Sequence, residues 1–332
     1  MESVPVSQFV KDSRFDGFLL VRSADQRSAS NGSKYLDMTL GDKSGEINAK
    51  LWDGTVPPPE AGSVLRLRGT IHEYNGRLQI RVERMRGAVP SDAVPMEALV
   101  ACAPQPGQEM LDEVNAAVEG IRSRDLRRLV RRLLDDAGET LVYFPAASKL
   151  HHAERSGLLH HVTGMLRMAN HYADEYPSLD RDLLVAGVIV HDLAKIGEIN
   201  AAPETGIVSG YSADGMLIGH LVRGIARMDE AGRELGCDPE LLMMLEHMVL
   251  SHHGVPEYGS PKPPMFPEAE VLHHLDLLDA RIFEMNAALS RVTPGGFSEK
   301  LWSLDRKLYR RAGSPAAEWE DETALGAGKE NE

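Results

Sequence analysis

The stretch VIVHDLAKIGE, residues 188–198, ends an apolar run with an imidazole, a carboxylate and an ammonium: His191, Asp192 and Lys195. The chain holds 13 histidines. Most fall between 151 and 274 in apolar, helix-like text: His161 in GLLHHVTGML, His220 in GMLIGHLV, His252 and His253 in MVLSHHG, with Asp276 in LHHLDLLDAR. One histidine on an apolar helix face is ordinarily a hydrogen-bonded core residue. Several ionisable groups recurring in separate apolar helices are different, because burying unpaired carboxylates costs several kcal/mol each. A shared divalent cation offsets that cost, since imidazole and carboxylate are ordinary ligands of zinc, iron, manganese and similar ions. On a helix, Asp192 and Lys195 are three apart and His191 and Lys195 four apart, so they share a face. Adjacent His191 and Asp192 diverge by about 100°. They can still both reach an ion at a helix end, or serve two ions with the aspartate between them. The apolar helix is then a rigid post whose polar end holds metal.

The elements that must position these groups are helical. From about 109 the apolar spacing follows the helical period, in MLDEVNAAVEGI and RDLRRLVRRLLDDAG. The second segment carries Arg127, Arg128, Arg131 and Arg132 after Arg122 and Arg124, readable as a solvated face or as a phosphate-contacting strip. VPEYGSPKPPMFPEAE, 255–270, has five prolines and no helical period. It reads as a stiff loop that directly follows His252 and His253, either purely structural or offering Lys262 or Tyr258 to a substrate.

Residues 15–88 read instead as five short strands: FDGFLLV, KYLDMTLGD, EINAKLW, SVLRLRGTIHEY and RLQIRVERM. Asn75-Gly76 is a hairpin signal, because both residues tolerate positive φ. Five strands in some 75 residues suggest a small barrel, for which the oligonucleotide-binding (OB) fold is the best match. Leu65 and Leu67 alternate with Arg66 and Arg68, and Leu78, Ile80 and Val82 with Arg77, Gln79 and Arg81. The period of two sends the aliphatics inward and the arginines outward. That outer face is either merely solvated or a surface tracking single-stranded nucleic acid, with Tyr74, Trp52 or Tyr35 to stack on bases. The domains expected are an OB-type barrel at 1–90, a Pro/Ala linker at 91–108, an all-helical domain at 109–313 and a disordered acidic tail at 314–332.

The formal charge of −14 argues against a generic nucleic-acid coat protein. It is unevenly spread: residues 1–95 carry 13 Lys and Arg against 12 Asp and Glu, the remainder 23 against 38. Polyanion binding therefore has to use local patches. Two cysteines make no disulfide framework, and neither a signal peptide nor an apolar run of membrane-spanning length is visible, so a cytoplasmic protein is expected.

A His, then His-Asp, then a later Asp on helices resembles the HD metal-dependent phosphohydrolase superfamily. The surrounding text is more specific: HHAERSGLLHHV, YPSLDRDLLVAGVIVHDLAKIGE and VLSHHGVPEYGSPKPPMFPEAEVLHHLDLLDAR. With an OB-type domain in front, residues 1 to about 311 resemble the YhaM-type 3′→5′ exoribonucleases. The fold implied is multidomain, α and β: a five-stranded OB-type barrel followed by an all-α HD domain. The resemblance implies His161, His191, Asp192 and Asp276 as metal ligands, with His220 and His252 or His253 completing a second position. Asp279, one turn later, competes with Asp276, which aligns better with the superfamily's segment. His151, His152 and His160 read as surface groups or supports of the ligands, His273 and His274 likewise. Ala194 stands where some HD proteins have glycine, which suits a helix.

The activity implied is hydrolysis of phosphodiester bonds in single-stranded RNA, or single-stranded DNA, releasing nucleoside monophosphates. Asp192 is the expected bridge between ions, and Lys195 the group that neutralises charge on phosphate oxygens. One or two divalent ions per subunit are expected, manganese ahead of iron, zinc, cobalt, magnesium and nickel. Arg66, Arg68, Tyr74, Arg77 and Arg81 are the expected nucleic-acid contacts, and the family suggests a homo-oligomer. Two other readings compete: an HD-type nucleotide phosphohydrolase or cyclic-dinucleotide phosphodiesterase, and a non-catalytic nucleic-acid-binding protein with a structural metal site. A mononucleotide needs no tracking surface, and structural sites close at about four ligands.

Overall fold

The structure, a computed structural model, describes residues 4–30, 32–89, 91–149 and 151–313; the stretch 314–332, expected as a disordered tail, lies outside them. The described chain divides into two units. One runs through Cys102 and takes in Ala201–Ser209; the other holds Ala103–Asn200 and the residues from Gly210 onward.

The first unit is a closed barrel of β1 (Arg14–Ser28), β2 (Lys34–Asp42), β3 (Gly45–Leu51), β4 (Val64–Tyr74) and β5 (Arg77–Gly87), in the order β1-β2-β3-β5-β4. Strand β1 pairs antiparallel with both β2 and β4, and β3 pairs parallel with β5. Alternation puts Leu36, Met38 and Leu40 of β2, Leu65 and Leu67 of β4, and Ile80 and Val82 of β5 into one core. At the β4–β5 turn Asn75 and Gly76 both take positive φ, 50° and 75°, as a primed hairpin turn requires. Gly69 sits at a register shift in β4, where a Cβ would lie 2.5 Å from the Arg81 carbonyl oxygen, so only glycine fits.

In β1 the alternation fails: Leu19, Leu20 and Val21 are consecutive. Leu19 and Val21 enter the barrel core, which leaves Leu20 on the outer side. An exposed leucine there needs cover, and the stretch expected as a linker supplies it. Met96–Leu99 forms a helical turn, α1, and Leu99 and Val100 bury against Leu20 and Val64. Residues 201–209 join the same unit: Ile207 packs on this cluster, and the buried Thr205 hydroxyl donates to the Gly62 carbonyl at 2.8 Å.

The second unit is helical: α2 (Gly107–Gly120), α3 (Arg124–Ala137), α4 (Gly157–Glu175), α5 (Arg181–Val190), α6 (Lys195–Glu198), α7 (Ala213–Leu217), α8 (Gly219–Leu235), α9 (Pro239–Ser251) and α10 (Pro267–Ser290). A two-stranded hairpin, β6 (Ile199–Ala201) and β7 (Val208–Tyr211), follows α6. Helix α5 is the central post. Its residues 182–190 are all buried, and it packs against α2, α3, α4, α9 and α10. Asp180 caps its start by accepting from the Leu183 N–H. The side chain of Asp182 accepts the Arg122 and Ser123 N–H groups just before α3. Gly187 lets α9 close in: a Cβ there would meet the Met248 methyl at 2.3 Å. The post is apolar all round because neighbours surround it all round.

Candidate metal centre and nucleic-acid surface

The polar residues collect where α5 ends. His161 lies in the second turn of α4, His191 and Asp192 directly follow α5, and Lys195 opens α6. His220 is in the first turn of α8, His252 and His253 follow α9, and Asp276 is in α10. His161, His191, Asp192 and His252 are essentially inaccessible to solvent, at 0–1 % exposure. The side chains form two abutting groups. His161 Nε2 is 3.3 Å from both His191 Nε2 and Asp276 Oδ1. On the other side, His220, His252 and His253 bring nitrogens within 4.8 Å of one another. Asp192 lies between the groups: Oδ2 is 3.5 Å from His191 Nε2, while Oδ1 is 3.4 Å from His220 Nε2 and 3.7 Å from His252 Nε2. Asp192 Oδ2 also meets the Lys195 ammonium at 2.6 Å.

Each of the five histidines has its Nδ1 engaged away from this cluster. The partners are Asp279 Oδ2 for His161 (2.7 Å), the Val188 carbonyl for His191 (2.9 Å) and Glu198 Oε2 for His220 (2.5 Å). The Val249 carbonyl serves His252 (2.8 Å) and the Tyr258 carbonyl His253 (2.7 Å).

Three buried atoms facing inward, Asp192 Oδ1, His220 Nε2 and His252 Nε2, have no hydrogen-bond partner. A buried acceptor or ring nitrogen without a partner is costly. Their convergence fits a divalent cation, which takes lone pairs of this kind. Four carboxylates gather here: Asp192 pairs with Lys195, Asp276 and Asp279 with His161, and Glu198 with His220. Burial disfavours ionised Asp192, but the Lys195 and His191 charges outweigh it and hold its carboxyl well below the ordinary range. Burial likewise opposes the Lys195 cation, and Asp192 more than restores it, raising its pKa. Burial pushes His252 well below the ordinary imidazole value, with His253 beside it acting in the same sense.

The structure separates the two competing aspartates. Asp276 meets the inward nitrogen of His161 and Asp279 the outward one. Both His252 and His253 lie at the cluster. His152 and His160 lie behind it, His152 Nε2 being 2.8 Å from Asp279 Oδ2. His151 lies beside it, its ring tilted against that of His161 at 5.9 Å, and burial lowers its pKa to about 3. His273 contacts the His252 carbonyl, and exposed His274 pairs with Glu270. Sequence reasoning missed Glu198. It stands inside the opening motif, but its partner, His220, lies 22 positions on.

On the barrel the expected nucleic-acid contacts lie along the paired strands β4 and β5, where Tyr74 is opposite Arg77, Thr70 opposite Arg81, Arg68 opposite Arg84 and Arg66 opposite Arg86. Tyr74, Arg77 and Arg81 lie with Lys50, whose ammonium sits over the Tyr35 and Tyr74 rings at 5.5 and 5.8 Å. Tyr35 and Trp52 stack at 4.7 Å. An open groove of about 610 Å³ beside them is lined by Asp37, Asn48, Lys50, Arg77 and Gln79 among others. Arg66 and Arg68 also neighbour β1 and are engaged by acids. Arg68 donates to Asp16 at 2.6 Å, and Arg66 lies between Asp16 and Asp92. Their outward alternation was legible, but the neighbouring aspartates were not. In the helical unit, Arg131 pairs with Glu119, and Arg132 with Asp136 and Glu234, which blunts the basic strip.

A histidine and aspartate cluster of this order, set on helices and joined in one chain to a closed five-stranded barrel, defines an HD-type phosphohydrolase with an OB-fold domain. Residues 158–281 match the HD domain family, and residues 20–86 the OB-fold nucleic acid binding domain family. The chain belongs to the YhaM family of 3′-5′ exoribonucleases. It is 41 % identical over 300 residues to the Bacillus licheniformis 3′-5′ exoribonuclease YhaM, covering 89 % of this chain and 93 % of that one. It is 39 % identical over 300 residues to the Bacillus subtilis protein of the same name, with the same coverage. The Shouchella clausii protein is 41 % identical over 298 residues, covering 89 % of this chain and 92 % of that one.

Proposed function

We propose that this protein is a metal-dependent 3′→5′ exonuclease that removes nucleoside monophosphates from single-stranded RNA. The observation that carries the reading is the pair of abutting histidine and aspartate groups sharing Asp192, with three inward atoms unpartnered. The family supplies the polarity and the RNA. His161, His191, Asp276 and Asp192 would hold one ion, and His220, His252, His253 and Asp192 a second. Divalent ions there supply Lewis acidity towards phosphate oxygens and towards water. The chain's own contribution is positional and electrostatic. Asp192 turns one oxygen to each group. Lys195, fixed by its ion pair with Asp192, places an ammonium where charge builds on the phosphate. The apolar walls of α5 and α9 keep the site at low dielectric, which strengthens both effects. On the barrel, Tyr35, Trp52, Tyr74, Lys50 and Arg77 would grip the strand by stacking and phosphate contacts, with little reading of sequence.

The mixed imidazole and carboxylate set suits manganese, which we take as the native ion. Among the described residues no helix is long and apolar enough to cross a membrane. Work in the cytoplasm on RNA, as a homo-oligomer, completes the reading. The test is to supply manganese to the protein with 5′-labelled single-stranded RNA and, in parallel, nucleoside triphosphates and cyclic dinucleotides. A descending ladder from the RNA supports the proposal. Turnover confined to the small molecules, or binding without turnover, sinks it.

A further inference from the structure

We propose that two carboxylates outside the ligand set, Asp279 and Glu198, are positioning residues that hold His161 and His220 in the tautomer and orientation that turn Nε2 inward. The inference rests on the metal-site reading above. A neutral imidazole carries one proton, so an inward Nε2 lone pair requires the proton on Nδ1 and an acceptor beyond it.

Where that acceptor comes from follows from each histidine's place along its helix. His191 and His252 come directly after α5 and α9, where the last carbonyls have no helical N–H to accept. Each ring therefore donates to a carbonyl three residues back, that of Val188 or Val249. His253 uses the loop carbonyl of Tyr258. His161 is inside α4, Gly157–Glu175, where the neighbouring carbonyls are occupied by the helix itself. Its acceptor comes from another helix, as Asp279 Oδ2 at 2.7 Å. His220 is in the first turn of α8, where the free backbone groups are N–H donors. There one oxygen, Glu198 Oε2, accepts both the ring Nδ1 at 2.5 Å and the backbone N–H of His220 at 2.7 Å.

Asp279 is itself braced. Its Oδ2 also accepts from His152 Nε2 at 2.8 Å. That leaves His152 Nδ1 as an acceptor, 3.1 Å from His160 Nδ1, which lies 2.8 Å from Glu154 Oε1. A single proton on His160 Nδ1 serves both neighbours. Neutral rings satisfy the whole string, so this second His/Glu group needs no ion. Gly164 keeps space for Asp279, since a Cβ there would lie 3.0 Å from its Oδ1.

The test reads metal uptake and not RNA hydrolysis. Metal-free protein is titrated with cobalt(II), followed by its visible absorption and by competition with a chelator. Asp279→Ala and Glu198→Ala are each expected to weaken one of the two ions about 10–100-fold while sparing the other. Asp279→Asn and Glu198→Gln are expected to recover most of the loss, because an amide oxygen still accepts the Nδ1 proton. Metal-free melting curves check that the alanine variants fold. Wild-type isotherms in both alanine variants overturn the proposal. So do equal losses in the alanine and amide variants, because charge or packing, and not acceptor geometry, would then set the affinity. Wild-type protein that takes up no cobalt overturns the metal-site reading, a failure distinguishable from that of the brace.

Discussion

The outer face of the barrel and the inner cluster of the helical unit both concentrate polar side chains, under opposite physics. On the barrel, Arg68, Arg86 and Lys50 stay in water, and each finds a partner nearby: Asp16 on β1, Asp92 in the turn after β5, and the Tyr35 ring on β2. Water competes for each contact, so each is weak and replaceable. In the helical unit, His161, His191, Asp192 and His252 are buried, arrive from separate elements, and leave inward atoms without partners. There water cannot substitute, and loss of one group strands the others. Contacts of the first kind can be exchanged one at a time; those of the second cannot.

The comparison breaks most visibly at Asp192. Asp192→Ala or His191→Ala is expected to cut single-turnover RNA hydrolysis roughly a thousandfold or more, since residues acting as a unit fail together. Activity within tenfold of wild type would mean that the cluster is not the reacting centre. Chelation should come next. If ions bind only the folded helical unit, a free concentration about a hundredfold above Kd stabilises it by about 2.7 kcal/mol. Calorimetry should then show a lower melting temperature for the helical transition and an unmoved barrel transition; equal shifts would contradict the contrast. A smaller effect is expected for Tyr74→Ala, which should weaken RNA binding by about 1–3 kcal/mol. It should raise KM on long substrates and leave kcat on a dinucleotide alone. The smallest is Arg68→Ala. Because Asp16 already engages that guanidinium, RNA affinity should stay within about twofold of wild type, whereas Arg77→Ala should lower the salt dependence of binding. A large loss at Arg68 would mean that its ion pair with Asp16 gives way to RNA.

Much of the barrel was legible because its rules are local. Alternation in KYLDMTLGD and RLQIRVERM gave the strands and most of the facing, except that Leu78, expected inward, is exposed near the start of β5, and Asn75-Gly76 gave the turn. The stretch expected as a linker was harder. Leu99 and Val100 look unremarkable until Leu20, on the far side of β1, is seen to need cover. The candidate ligands were legible as types, since ionisable residues flanked by aliphatics on several helices cannot all be core. Their braces were not. Glu198 resembles any helix-end acid, and Asp279 resembles a rival ligand, until their bonds to His220 and His161 are in view.

Sequence alone determined the five barrel strands and the helical character of most of the rest, but not the β6–β7 hairpin inside the stretch expected to be all helical; it also showed that too many ionisable groups lie in apolar helices to go unpaired. These follow from side-chain period and desolvation cost, which act between near neighbours. Only the tertiary structure decided which carboxylate meets which ring nitrogen, that Asp192 stands between two groups, and that Arg66 and Arg68 are engaged by aspartates. Those pairings join residues tens to more than a hundred positions apart, and chain connectivity carries no information about which side chains packing will bring within three ångströms.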